Sequence, residues 1–252
     1  MEIRAVTALG PGGDSGLPGC FQAWEGGRLV GSLSLFVPLV HTAEVSAFVP
    51  PEYRRRGVFS ALLRWAEEAC RERGTARVLF SCDGKSADGQ AVAEHWGLAL
   101  DHREFVLVLR GPRPALPAGP ALKRMGPEDV KAVAALSGAA FGNTLKEALD
   151  MAEATLTDPA RRCWGLWENG DLTAVASVGP AAEGLSIYGV AVDPAWQGRG
   201  RGRRLMAGLL GVLPREKSLV VEVDGENRRA RALYEKFGFR ENRRQDYFVR
   251  GL

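Results

Sequence analysis

Histidine is scarce. His41, His95 and His102 are the only three, and all stand in the first half of the 252 residues. A histidine base carried by the second half is thereby excluded. The four cysteines, Cys20, Cys70, Cys82 and Cys163, form no C-x-x-C pair and fit reduced thiols in a cytoplasmic protein. No residue is assigned to a metal. No apolar run approaches the ~20 residues that span a bilayer, and the opening MEIRAVTALGPGG lacks the apolar centre of a signal peptide. A net charge of +3 is too small to argue for nucleic acid. Two glycine motifs are also missing. G-x-G-x-x-G fails because Arg203 stands where its last glycine would be, and no G-x-x-x-x-G-K-[ST] occurs.

What the chain does contain is an internal repeat. GPRPALPAGP, residues 111–120, carries four prolines in ten residues, a linker composition. The segments on either side match in order. WEGGRL (Trp24 to Leu29) matches WENGDL (Trp167 to Leu172), where Asn-Gly between apolar runs signals a hairpin. AFVPPEYRRRG (Ala47 to Gly57) matches AVDPAWQGRG (Ala191 to Gly200) with one slipped residue. DGKSADGQAVAEHWGL (Asp83 to Leu98) aligns without a gap on DGENRRARALYEKFGF (Asp224 to Phe239), with five of sixteen positions identical. Three matches in one order predict a duplicated fold. The domains are expected at 1–110 and 121–252.

In the second half the patterns predict a strand at ALKRM, helices over Pro127 to Gly142 and about Asn143 to Asp158, and strands at 162–168, 172–178 and 185–192. Then follow a helix at 200–213, a strand at 218–223, a helix at 227–237 and a strand at 244–250. The first half follows the same order, but TALGPGGDSGLPG (Thr7 to Gly19) replaces the two helices. That segment is too rich in Gly and Pro to be helical.

Between strand 185–192 and the next helix lies DPAWQGRGRGRRL, with four arginines and three glycines. A helix N-terminus already carries partial positive charge and unpaired N–H groups, so arginine there asks for an anion. Glycines let backbone approach a ligand closely. Together they read as a phosphate cradle, against the plainer reading of a solvated basic turn.

Gln197-x-x-Gly200-x-Gly202, after a strand and before a helix, resembles the acyl-CoA pyrophosphate loop of the GNAT superfamily of N-acetyltransferases. Asn227-x-x-Ala230-x-x-Leu233-Tyr234-x-x-x-Gly238-Phe239 resembles that family's second signature. The resemblance covers nearly all of 121–252 and, more weakly, 1–110. It implies an α/β (α+β) fold of two tandem GNAT-like domains, each a mixed, mostly antiparallel twisted sheet flanked by helices, related by a pseudo-twofold. It also implies acetyl-CoA as acyl donor, with CoA as product.

On that resemblance the donor's pyrophosphate lies on backbone N–H groups from about Gly198 to Gly202. Arg199, Arg201, Arg203 and Arg204 supply positive field. Val190 and Val192 pair with the pantetheine arm through their backbone, and the Val192 N–H is the first candidate for stabilising the oxyanion. Tyr234 matches the tyrosine that protonates the leaving thiolate, and the surrounding motif favours that role over the core reading suggested by the apolar helical face it shares with Ala230, Leu233 and Phe237. Asn227 reads as N-cap, donor contact or both. Glu222, in the apolar strand SLVVEVD, is the candidate base, with Tyr188 or water as alternatives. Cys163 reads as core rather than nucleophile.

The first half departs where it matters. Phe59 stands in place of a small residue, Ala93 in place of Tyr234 and Ser86 in place of Asn227. It is expected to be silent in catalysis, with Glu44 and then His41 the suspects should it act. The acceptor pocket is expected from Phe141 to Asp158 and Arg240 to Phe248. Glu147, Asp150 and Glu153 are candidate holders of a cation, and Tyr247 a wall. The expected partners are a small-molecule or peptide amine, not nucleic acid or membrane. A non-catalytic CoA-binding module is the alternative.

Overall fold

The computed structural model describes residues 1–6, 19–39, 42–111, 113, 119–182 and 184–252. The Gly/Pro-rich segment Thr7 to Gly19, apart from Gly19, and His41 lie outside the described residues.

Two compact units form. One comprises Met1–Glu104 with Arg244–Leu252, the other Phe105–Arg243. The repeat in the sequence divides the chain at 111–120 instead. The difference lies in two strands. β12 (Arg240–Gly251) runs through residues 245–251 beside β5 (Arg77–Asp83), so the last strand of the second half completes the sheet of the first. β6 (Ala99–Leu109) gives its last residues to the second unit, where Leu107 and Leu109 are buried in the core. Alternating apolar strands of similar length fit either sheet, and the pattern alone does not say which.

In the first unit the strand order is β1 (Glu2–Val6), β2 (Cys20–Glu25), β3 (Arg28–Leu39), β4 (Thr42–Phe48), β5, β12. Only β4 and β5 among these neighbours run parallel. The helix α1 (Val58–Glu72) packs Val58, Leu62, Leu63 and Ala66 against Phe21, Leu33, Val78 and Phe248. Ala93 of α2 (Ala87–His95) joins that core.

In the second unit the order is β6, β11 (Leu219–Asp224), β10 (Gly184–Val192), β9 (Asp171–Ala181), β8 (Arg162–Glu168), β7 (Lys123–Met125). β7 to β10 pair antiparallel and β10 with β11 parallel. Helices cover both faces. α5 (Arg201–Val212) and α6 (Arg228–Lys236) bury Leu205, Met206, Leu209 and Tyr234 against Ile187, Leu219, Val221 and Val223. α3 (Val130–Phe141) and α4 (Leu145–Leu156) bury Val133, Ala134, Ala148 and Ala152 against Cys163, Val175 and Ala191.

The turn chemistry follows the residues. Asn169 and Gly170 both take positive φ, 53° and 89°, as a two-residue hairpin requires. The matching Gly26 and Gly27 do the same. α4 starts on a reciprocal Thr144–Glu147 capping box.

Candidate active site

Strands β10 and β11 form a fork. Their parallel pairing runs from Leu185↔Leu219 to Ile187↔Val221 and stops, while β10 continues to Val192 and β11 to Asp224. The cause is local. The β9–β10 register shifts between Tyr188 and Ala191, and Gly189 in that bulge has φ 57°. Val190 and Val192 pack their side chains on the α5/α6 core. Val192 closes the β9 pairing against Ala174, and its carbonyl accepts from the Gln197 side-chain amide at 3.2 Å.

The basic loop begins where the fork opens. A single 3-10 turn, Pro194–Trp196, is capped by Asp193, whose side chain accepts from the Ala195 N–H at 2.8 Å. Gly198 (φ 73°) and Gly200 (φ 77°) are both left-handed, with open space where a Cβ would stand. Gly200 is the N-cap of α5 and contributes no side chain to its orphan N–H groups. Alternating left-handed residues ahead of a helix aim successive N–H groups into one concavity, a cradle for an anion. Gly202 differs. A Cβ there would make ordinary contacts, 3.4 Å to Leu233 and 3.7 Å to Val192, so alanine fits.

The arginines divide. Arg201 donates to Glu168 at 2.7 Å and to the Arg199 carbonyl at 2.8 Å, and Arg204 also ion-pairs with Glu168. Arg201 lies over the Trp196 ring at 4.7 Å, with Arg199 at 5.7 Å. Arg199 and Arg203 are exposed. Four interchangeable sources of field therefore become two that Glu168 holds and two that it does not. Glu168 was not legible as a site residue, since a glutamate closing a hairpin strand reads as a solvated charge. Its one signal was the repeat, which places Glu25 at the same point of WEGGRL.

Tyr234 is 5% exposed, tilted against Phe239, and burial pushes its hydroxyl up to about 12. It is a core residue whose hydroxyl stays protonated at neutral pH. Asn227 caps α6, its side chain accepting from the Ala230 N–H at 3.0 Å. Glu222 is exposed, on the face of β11 opposite Val221 and Val223. Strand alternation puts it on the same face as Ser186 and Tyr188, one step past the last pair of the fork. Tyr188 leans the other way. Its ring would contact a Cβ on Gly179 at 3.4 Å and lies under Arg161 at 5.9 Å. Burial raises its hydroxyl too, with the nearby Arg161 opposing. The Tyr188 ring thus lies towards β9, while Glu222 stands exposed beside the fork. Cys163 is 1% exposed, and burial holds it as a neutral thiol.

Expected acceptor-side residues mostly serve other ends. Glu147 closes the α4 cap, and Asp150 pairs with Lys146 at 2.5 Å. Tyr247 lies in the first unit, opposite Ser81 on β5 and donating to Glu104 at 3.0 Å.

The first unit repeats the backbone without the side chains. β4 and β5 pair from Thr42↔Arg77 to Val45↔Phe80 and then part. Arg55 (φ 57°) and Gly57 (φ 78°) reproduce the left-handed alternation. A left-handed arginine costs about 1 kcal/mol. Arg54 pairs with Asp88, and Arg56 with Glu25 at 2.8 Å. Phe59 stands against Trp96 with ring centroids 5.6 Å apart. Ser86 caps α2 as Asn227 caps α6. Glu44 occupies the register position that Ser186 holds in the second unit, one step before the last parallel pair. Among the described residues no cluster of three or more His, Cys, Asp or Glu could hold a metal, and no helix is long and apolar enough to cross a membrane.

Comparison with known proteins agrees with this geometry. The Acetyltransferase (GNAT) family profile matches residues 12–97 and 132–239. A mycothiol acetyltransferase of Saccharomonospora viridis is 31% identical over 216 residues, covering 76% of this chain and 69% of the relative. That of Beutenbergia cavernae is 39% identical over 138 residues, where the match spans 49% of this chain and only 46% of the relative. A ribosomal protein bS18-alanine N-acetyltransferase of Escherichia coli K12 is 36% identical over 78 residues, 30% of this chain and 53% of that one. Among solved structures, a GCN5-related N-acetyltransferase from Sphaerobacter thermophilus shares the fold with TM-score 0.75 at 21% identity, over 92% of this chain and 80% of that one. A tandem GNAT protein from the clavulanic acid biosynthesis pathway does so with TM-score 0.71 at 22% identity, over 92% and 82%. With fork, left-handed cradle and both halves matched, the chain belongs to the GNAT acetyltransferase family.

Proposed function

We propose that this protein is an acetyl-CoA-dependent N-acetyltransferase, and that its active site lies in the Phe105–Arg243 unit. The observation that carries the reading is the parting of β10 and β11 immediately before the left-handed cradle of α5. Gly198 and Gly200 leave room for a phosphate against the backbone, and the length of β10 beyond its pairing with β11 leaves room for an extended arm. Acetyl-CoA supplies the activated acyl thioester. The loop N–H groups, Arg199 and Arg203 hold its diphosphate. The backbone of Val190 and Val192 orients the arm.

The chain's own residues then handle protons. A lysine-like amine of pKa ~10.4 arrives charged at neutral pH, as does part of a peptide α-amine population of pKa ~8, and that proton must leave. Glu222, on the open face beside the fork, is the acceptor for that proton. Tyr234, kept neutral by burial, holds the proton a departing thiolate needs. The acceptor is a small-molecule or peptide amine. The relatives named for mycothiol and for a ribosomal protein alanine span both kinds.

Calorimetric titration with acetyl-CoA tests the reading. Binding near one equivalent is expected, abolished by Gly200→Val, which forces a β-branched residue to φ 77°. In Tyr234→Phe, binding stays within a few-fold while turnover of a screened amine falls at least tenfold. Retained binding with no turnover of any amine would leave a CoA-binding module. No binding would remove the acetyltransferase reading.

A further inference from the structure

Glu168 sits at the tip of the β8–β9 hairpin, remote in sequence from the cradle. Its carboxylate is nevertheless 10% exposed, and both of its partners, Arg201 and Arg204, come from the first turn of α5. A near-buried carboxylate is tolerated only when paired, so these contacts fix one another. Arg201 also donates to the Arg199 carbonyl, inside the cradle itself. The hairpin therefore reaches the loop backbone through one guanidinium. The repeat carries a related contact. Glu25, at the matching place in the first unit, pairs with Arg56 of that unit's basic loop, but that pair is about half exposed and Arg56 stands at the place of Arg199. Both halves therefore join hairpin to loop through a glutamate, and only in the second is that glutamate nearly buried.

We propose that Glu168 is a positioning residue for the donor diphosphate. It holds Arg201 and Arg204 so that the Arg199–Gly202 backbone stays preorganised, and it withdraws two arginines from direct phosphate contact. The charge read by the ligand is then that of Arg199, Arg203 and the N–H groups. Electrostatics and positioning predict opposite signs on removing the carboxylate. Glu168→Gln adds one net positive charge to the loop, which alone would tighten an anion. Loss of the brace would loosen it.

The proposal rests on the loop being the acetyl-CoA site, and the experiment separates the two. First, amide hydrogen exchange at residues 204–207, the first hydrogen-bonded amides of α5, is measured in the ligand-free protein. Glu168→Gln is expected to accelerate it at least tenfold, with exchange in β11 unchanged. This readout needs no ligand, so it stands even if acetyl-CoA fails to bind the unaltered protein. Second, the KM for acetyl-CoA is expected to rise about tenfold in Glu168→Gln, with kcat and the amine KM within twofold. In an Arg201→Gln/Arg204→Gln background the same change should have no further effect. Unchanged exchange, an unchanged or lowered KM, or an equal rise in the double-arginine background would each overturn the assignment.

Discussion

At the residue scale, Tyr234 is a buried core residue whose hydroxyl the proposed reaction would use. Its hydroxyl is raised from the ordinary 10.0 to about 12 because burial disfavours the phenolate. The folded state therefore holds that proton more tightly than the unfolded chain. The associated stability is full below pH 10 and is lost as pH rises from 10 towards 12. Two pH units amount to about 3 kcal/mol. Urea midpoints of the unaltered protein and Tyr234→Phe should run parallel below pH 9.5, and from there to pH 11.5 that of the unaltered protein should fall relative to the variant's. Parallel lines throughout would mean that the hydroxyl is solvated. The sequence placed Tyr234, Asn227 and the loop glycines on the elements where they stand, because helix and turn patterns locate them. It did not show that Glu147 was taken by a cap or that Arg201 and Arg204 were taken by Glu168. A charge looks alike in sequence whether it waits for a ligand or holds its neighbour.

At the element scale, boundaries followed from periodicity and caps. The helix expected at 200–213 spans Arg201–Val212, and the strand expected at 185–192 spans Gly184–Val192. The destination of the last strand did not follow. An alternating strand records which face is buried, not which sheet receives it. β12 places Phe248, 8% exposed, in the core of the first unit with Phe21 and Val78. Phe248→Ala should therefore destabilise by about 3–5 kcal/mol. Hydrogen exchange should localise the loosening to residues 77–83 and α1, although residue 248 lies at the end of the second repeat. Loosening confined to β10 and β11 would contradict the assignment of β12.

At the scale of the whole molecule, the repeat explains the family resemblance of both halves, and the strand exchange explains why they are not modular. Cutting at the Pro-rich linker gives 1–110, which lacks β12, and 121–252, which lacks β6. Each fragment alone should be poorly soluble or molten, with lost near-ultraviolet dichroism, and co-expression should restore a folded complex. A native-like dichroism spectrum of isolated 121–252 would show that β6 is dispensable. Intact protein should melt in one calorimetric transition, since each half of the sequence supplies a strand to the unit built mostly by the other half.

The linker has a further part. Arg113 donates to the carbonyls of Leu210, Leu213 and Pro214, at the far end of α5. Beyond it, a Cβ on Gly119 would fall 2.3 Å from the Gly208 nitrogen, so the chain lies directly on that helix. With Glu168 gripping the first turn and Arg113 the last, α5 behaves as a shaft seated in two bearings. It can neither slide along its axis nor turn about it without breaking one of them. The cradle at its tip thus inherits its aim from a segment whose composition suggested only a loose tether.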